Sequence, residues 1–484
     1  MPEPAACGID IGTTHIKAVL VGMGGELLSM AKASTPVTGD AFGACHDPEQ
    51  IRLTAERVMR SAQGTAPGRP PIAAVGVTSV GEEGVPLGRG GELLYPSICW
   101  FERRPSDAER DWSLRHDSSE LFSVTGLHKD LCLSLFKWLW LREARPDVWS
   151  ACTSWLGIGD YVTWRWTGQR GMSVSHASRT GIFDLAGFRW RDDWAADVLA
   201  NGPETLPPLH QAGSPVGILR PGVIPGLATT GEVPVVATGL DHTVGGYAAG
   251  VTERGQLLDS MGTAEGLIEP LAGADFSPAA FQAGVNFGAG IAPGTHIAIA
   301  SLDSGAGVSG IVRALGAPDG LEARAARLDP GADGLIYIPP GFGSLRGGAF
   351  FGHKAGHTAA HVYRAVIEGW SLAADEALSA LGSGDRPKDV VCVGGGSASA
   401  LWLRVKASVA GREISCVTTP EIAAVGAALL ADPARGVGVG GVTAGRRRVA
   451  PQPAWVAGYA ALRGTFRRLT ETLDQLVVPH EESQ

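Results

Sequence analysis

Two short segments of one design, one in each half of the chain, restrict the fold more than any other feature. They are Gly8-Ile9-Asp10-Ile11-Gly12-Thr13-Thr14 near the start and Asp259-Ser260-Met261-Gly262-Thr263-Ala264 past the middle. In each, an apolar strand runs into a glycine whose missing Cβ lets the main chain approach a ligand closely, and the following Thr offers N–H and hydroxyl donors suited to phosphate oxygens. One such hairpin alone would read as an ordinary β-turn. Its repetition predicts two related domains that each present a turn to a phosphate chain, the layout of an ATP clamp. Asp10 stands just before the first turn, where a carboxylate can hold a hydrated Mg²⁺ beside the phosphates.

The rest of the chain follows the same duplication. A length of 484 residues exceeds what one hydrophobic core supports, so two domains are expected. Apolar runs Cys7 to Ile11, Ile16 to Val21 and Leu27 to Ala31, separated by turn residues, predict a three-stranded antiparallel meander. Helical periodicity at Pro48 to Ala62 and a buried strand at Ile72 to Thr78 turn the meander into a mixed α/β sheet. Leu131 to Arg145, Trp155 to Thr167 and Trp190 to Leu199 read as helices, and Val235 to Thr238 as a short strand. The pattern then restarts with strands at Gln256 to Met261, Ala264 to Glu269 and Ala283 to Phe287. Helices follow at Leu321 to Ala326 and His361 to Leu381. A strand Val390 to Val393 enters Gly394-Gly395-Gly396-Ser397, and a helix Ala400 to Ala410, a strand Ile414 to Val417 and a helix Glu421 to Leu430 close the unit. The glycine-spaced run Gly245 to Gly255 is the best linker, which sets the expected domains at 1–247 and 248–484.

Composition excludes several classes. Forty basic against 49 acidic residues give a net charge of −9, which argues against nucleic acid as a partner; Arg446-Arg447-Arg448 reads as a solvated loop. No run of apolar residues is long enough to span a bilayer, so no membrane partner is expected. The start of the chain lacks a basic region followed by an apolar stretch, which predicts a cytoplasmic protein. Seven scattered cysteines, without a Cys-x-x-Cys pair or a His-bearing cluster, read as reduced, packed thiols.

Gly239-Leu240-Asp241-His242 follows an apolar strand directly, which puts Asp241 at a strand's carboxyl end, where α/β sheets hold ligands. There a carboxylate can take the proton of a substrate hydroxyl as it attacks a γ-phosphoryl group. Three glycines at 394–396 let a nucleoside lie flat against the main chain.

In this order these elements resemble the FGGY carbohydrate kinases, along almost the whole chain. Ser134 to Trp140 looks like the family's first signature, Gly348 to Gly352 with His361 like its second, and Ser175 to Asp184 is similar to its Asn-Ala-Ser-Arg-Thr stretch. The resemblance implies two ribonuclease-H-like (actin-like ATPase) domains with mixed sheets flanked by helices and an active-site cleft between them. It implies ATP and Mg²⁺ as cofactors, with Asp241 as general base and Asp10 and Asp241 at the metal. Gly12, Thr13, Thr14, Gly262 and Thr263 would meet the phosphates, and Gly395, Gly396 and Ser397 the adenosine. The substrate is a small sugar or polyol, a ketopentose ahead of a ketohexose or tetritol, near Glu82, Trp100, Glu102, Arg104, Asp241 and His242. A homodimer is compatible with it.

The chain departs from the glycerol kinases, which carry Arg-Glu where it reads Gly81-Glu82 and Gln where it has His242, and from the xylulokinases, which carry Met-His and Asn there. Glu83 reads as solvated or structural, Lys137 as a stem covering apolar surface, and Glu265 as an outward-facing strand residue, because a carboxylate beside phosphates would be repelled. Two other readings stand beside the kinase: an actin- or chaperone-like ATPase acting on a protein, and a sugar sensor without turnover.

Overall fold

The computed structural model describes residues 2–104, 106–114, 116–341, 347–381, 387–432 and 445–475. Contacts group the chain into two compact units. The first takes Met1–Arg254, Ile268–Ile299 and Thr419–Gly445, and the second Gly255–Leu267, Ala300–Thr418 and Arg446–Gln484.

The first unit is built on a six-stranded sheet. Its strands are β1 (Ala5–Ile11), β2 (His15–Val21), β3 (Leu27–Ser34), β4 (Ile72–Ser79), β5 (Pro215–Ile218) and β6 (Pro234–Leu240), in the order β5-β6-β4-β1-β2-β3. β1, β2 and β3 form the antiparallel meander, whereas β4 runs parallel to both β1 and β6. Alternation along β1 explains the layering. Ala5, Cys7, Ile9 and Ile11 point into a core shared with Ile51, Ala55, Val58 and Met59 of the helix Pro48–Thr65 and with Tyr161, Val162 and Trp166 of the helix Ile158–Thr167. Ala6 faces the other way, against Ala424, Val425 and Ala428 of the helix Ile422–Ala431. That helix lies so close to the sheet that a Cβ on Gly8 would overlap the Ala424 carbonyl and one on Gly76 the Ala427 carbonyl.

The second unit repeats the plan with β7 (Gln256–Met261), the start of β8 (Glu265–Leu271), β9 (Asp389–Val393), β10 (Ile414–Val417) and β11 (Arg446–Val449), ordered β8-β7-β9-β10-β11. β7, β9 and β10 are parallel and β11 is antiparallel to β10. The arginine run expected to be a solvated loop is this edge strand, with Arg446 paired to Asp389 at 2.9 Å and Arg448 to Glu413 at 3.1 Å. The segment expected as one helix, Trp155 to Thr167, divides into a strand Ser154–Gly157 and the helix Ile158–Thr167. Another strand, His296–Leu302, lacks a counterpart in the sequence reading and pairs antiparallel with Asn286–Ala289. Cysteines are free thiols, all buried except half-buried Cys132. Among the described residues no helix is long and apolar enough to cross a membrane.

Candidate active site

Register places the acids. Asp10 on β1 stands opposite Thr78 on β4, and Thr78 stands opposite Gly239 on β6, so Asp10 and the end of β6 flank one strand at the same edge. With about 4.8 Å per strand step, the two positions are about 10 Å apart along the sheet. β6 carries a bulge-like register shift between Ala237 and Gly239, pairs on to Leu240, and gives way directly to the helix Asp241–Ala248. Gly239 has φ +109°, and a Cβ there would overlap the Ser175 and Ser173 hydroxyls. Only glycine lets the chain pass this point. Ser175 Oγ in turn accepts the Leu240 N–H at 3.1 Å, and Thr78 donates its hydroxyl to the Gly239 carbonyl at 2.6 Å. Asp241 is half-buried, and its Oδ1 accepts the His242 N–H at 2.7 Å, which orients the carboxylate.

Asp10 is buried, with Oδ2 taking Lys17 Nζ at 2.9 Å; Lys17 also reaches Glu421 at 3.2 Å. Burial raises the pKa of Asp10, Lys17 pulls against it, and the negative charge of Asp241 raises it again, for a net upward shift. Burial opposes the charge on Lys17 too, but Asp10 and Glu421 outweigh it and hold the ammonium. The other oxygen, Asp10 Oδ1, is buried and has no hydrogen-bond partner in the protein. An orphaned buried carboxylate oxygen facing the field of a second carboxylate suits a hydrated Mg²⁺, which takes few protein oxygens and keeps most of its waters. The residues present fit that ion.

The first hairpin is braced from several sides. Gly12 N–H donates to His15 O at 3.1 Å, and Thr35 donates its hydroxyl to Gly12 O at 2.7 Å and its N–H to Thr14 O at 3.0 Å. Thr14 is exposed, with its hydroxyl 3.2 Å from His15 Nδ1. Trp100 donates its indole N–H to Thr13 Oγ1 at 2.9 Å, so a residue expected at the sugar touches one expected at the phosphates.

Behind Trp100 lies a buried polar layer. Glu83 accepts the Trp100 N–H at 3.1 Å and contacts His46 Nδ1 at 2.8 Å, so it is structural and not solvated. Cys99 joins them, the donor atoms of His46, Glu83 and Cys99 lying within 4.8 Å of one another. Lys137 does not cover surface with its stem. It is wholly buried and donates to the Glu82 carbonyl at 2.8 Å, fixing a residue held at φ +63°. Burial lowers its pKa while the nearby carboxylates oppose that. Glu82 Oε1 takes Arg179 Nε at 2.6 Å. Glu102 and Arg104 serve the hairpin formed by Thr38–Asp40 and Gly43–His46. Glu102 accepts the Ala44 N–H at 2.8 Å, and Arg104 binds Asp40 at 3.0 Å and the Ala44 carbonyl at 3.2 Å, its guanidinium 5.2 Å over the Trp140 ring. Those contacts account for both side chains without a sugar.

In the second unit Ser260 pairs with Val393, which brings the Gly262–Thr263 turn beside Gly394–Ser397. A Cβ on Gly394 would come within 2.9 Å of the Met261 carbonyl oxygen, and one on Gly396 within 3.0 Å of the Met261 side chain. Glu265, expected to face outward, is fully buried against Lys406 and Ser304, because a cation reaches it from the helix Ala400–Ala410. The sequence reading gave no role to Lys17, Ser173 or Lys406, and marked Ser175 only as the start of a segment similar to the family's Asn-Ala-Ser-Arg-Thr stretch. Of the first three, Lys17 left a signal, as the cross-strand partner of Asp10 in the meander register.

A family model for the N-terminal domain of the FGGY family of carbohydrate kinases matches residues 5–247, and one for its C-terminal domain matches 307–434. The xylulose kinase of Escherichia coli strain K12 is 26% identical over 440 residues, 88% of this chain and 89% of that protein. The L-fuculokinase of the same organism is 27% identical over 455 residues, 89% and 92% of the two chains. Among solved structures, the xylulose kinase from Rhodospirillum rubrum superposes with a TM-score of 0.87 at 28% identity, covering 97% of this chain and 99% of that one. With Asp10, Asp241 and both glycine hairpins on strand ends of a repeated mixed sheet, the chain belongs to the FGGY family of carbohydrate kinases, a sugar kinase of the actin-like ATPase fold.

Proposed function

We propose that the protein transfers the γ-phosphoryl group of Mg-ATP to a hydroxyl of a small sugar or polyol, a ketopentose such as xylulose or ribulose before others. The observation that carries this reading is the pairing of Asp10, with its orphaned buried oxygen, and Asp241 at one sheet edge. Asp241 is the general base: its carboxylate takes the proton of the attacking hydroxyl as that oxygen bonds to the γ-phosphorus, the bond from the γ-phosphorus to the β–γ bridging oxygen breaks, and ADP leaves. Asp10, assisted by Asp241, would hold Mg²⁺, which when bound would offset the charge of the phosphates. Gly12, Thr13, Thr14, Gly262 and Thr263 contact the phosphates through main-chain and hydroxyl donors, and Gly395, Gly396 and Ser397 line the adenosine. Trp100 offers a face to sugar C–H groups, and Glu82 and His242 serve as hydroxyl partners. Glu102 and Arg104 are left to the hairpin they support. The ketose preference draws on the relatives named for xylulose and L-fuculose, both ketoses.

The test is ADP release over a panel of ketopentoses, ketohexoses, tetritols and other polyols. A ketopentose should give the highest kcat/KM. A polyol ranking first would overturn the substrate class, and ADP release that no sugar or polyol stimulates would overturn the reaction.

A further inference from the structure

The two strands of the second hairpin are pinned by one buried cation. Lys406 Nζ, on the helix Ala400–Ala410, donates to Asp259 Oδ2 at 2.6 Å and to Glu265 Oε1. Glu265 Oε2 accepts the hydroxyl of Ser304, the first residue of the helix Ser304–Ala314. From that same helix Ala306 donates its N–H to the Thr263 carbonyl at 2.9 Å, and a Cβ on Gly305 would overlap the Gly262 carbonyl oxygen. All four side chains are buried. These contacts hold the turn by both strands and from below. They also tie it to the helix that follows the Gly394–Ser397 loop, whose N-cap Ser399 accepts the Trp402 N–H at 3.0 Å.

We propose that Lys406, Asp259, Glu265 and Ser304 are positioning residues for the nucleotide, fixing the Gly262–Thr263 turn in the shape that grips phosphate. The proposal rests on the nucleotide reading given above. The charge balance of the cluster gives it a signature. One ammonium between two carboxylates neutralises only one of them, and the groups facing Glu265 are Lys406, Asp259, Ser304 and, beyond Asp259, Cys392 on β9. Burial pushes Glu265 up to about 7, with Lys406 opposing and Asp259 adding to the rise. Below that pH the cluster is neutral. Above it, a negative charge develops two residues from a turn that meets anionic phosphates, so nucleotide binding weakens.

Calorimetric titration of Mg-ATP into the full chain on either side of about pH 7 tests this. Wild type should lose more affinity with rising pH than Glu265→Gln, whose carboxamide oxygen still accepts from Lys406 while its NH2 can donate to the Ser304 hydroxyl, and which cannot ionise; titration of the nucleotide itself is common to both. Lys406→Met should weaken Mg-ATP binding by about 10- to 100-fold, as expected for a displaced binding turn. Because that variant leaves two buried carboxylates uncompensated and can fail to fold, Ser304→Ala supplies a milder case, with a smaller loss in the same direction. If wild type binds Mg-ATP while Ser304→Ala and folded Lys406→Met bind it equally tightly and Glu265→Gln follows the same pH curve, the positioning role is wrong. If wild type does not bind Mg-ATP at all, the nucleotide reading falls, and this proposal with it.

Discussion

Asp241 and Asp10 show how one residue type acquires two roles from its surroundings. Asp10 is buried and tied to Lys17, whereas Asp241 is half-buried and accepts a main-chain N–H from its own helix turn. Under the proposed function, the first would serve as a metal ligand and the second as the general base. Asp241→Asn should therefore lower turnover by about 10²- to 10⁴-fold while Mg-ATP still binds in calorimetry, the loss typical of a removed general base. Unchanged turnover would take Asp241 out of the chemistry. Trp100→Phe keeps the ring and removes the N–H that reaches Thr13, so it should lower kcat/KM by roughly 2- to 10-fold, the worth of one hydrogen bond; steady-state kinetics in which Phe equals Trp would show that this link does not matter. At this scale the sequence exposes residue types and hides partners. Asp10 and Asp241 are legible because each ends a strand, and strand ends can be read from hydrophobic runs. Glu265 is not, because what neutralises it lies 141 residues away on a helix with no local mark of the pairing. For Glu83 the structural of the two readings holds, and for Lys137 the structural role holds but not the surface-covering stem, because their neighbours come from distant segments.

At the scale of elements, the placement of Asp241, the proposed general base, depends on how β6 ends. Gly239→Ala would place a Cβ onto the Ser175 and Ser173 hydroxyls at a φ that L side chains rarely adopt. The main chain must shift there, and Asp241 shifts with it. We expect kcat to fall by about 10²-fold, the effect of a displacement near 1 Å, with stability reduced by about 1–3 kcal/mol. Activity and denaturation midpoint measured on one preparation separate the two effects, and a variant as active as wild type would show that the bulge does not aim Asp241. Gly76→Val should cost stability, because the helix Ile422–Ala431 sits on Gly76 with its Ala427 carbonyl; overpacking of this kind costs typically about 1–3 kcal/mol, which a lower denaturation midpoint would show. Elements with alternating or 3.6-residue patterns, such as the meander and the helix Pro48–Thr65, were visible in the sequence. Ser154–Gly157 was not, since all four residues are buried and periodicity says nothing of a run without an exposed face. What makes it a strand is pairing with Gly84–Leu87, where the missing Cβ of Gly84 admits the Trp155 ring.

For the molecule as a whole, a linear border cannot describe the first unit, because its core is finished by chain from far downstream. Ala424, Val425, Ala428 and Leu429 close the sheet face that Ala6, Val19 and Val21 open, and Ala431 covers Ala74 and Val236. The hairpins and the duplicated plan were legible from the opening residues of each half. The return of residues 419–432 to the first unit was not, since an Ala-rich apolar helix carries no sign of which sheet it covers. A fragment of residues 1–254 keeps Asp10, Trp100 and Asp241 but lacks that helix and the segment 268–299. Its sheet would then present an apolar face lined by Gly8 and Gly76, where no side chain of its own can fill the groove. Exposed apolar surface on that scale favours association over a unique fold. The fragment should unfold without a sharp transition and bind a hydrophobic dye. Adding a separate peptide of residues 419–432 should restore part of the cooperativity, because a partner that binds only the folded form stabilises it by mass action. A fragment that melts as sharply as the full chain, with no response to the peptide, would mean that the downstream helix does not complete this core.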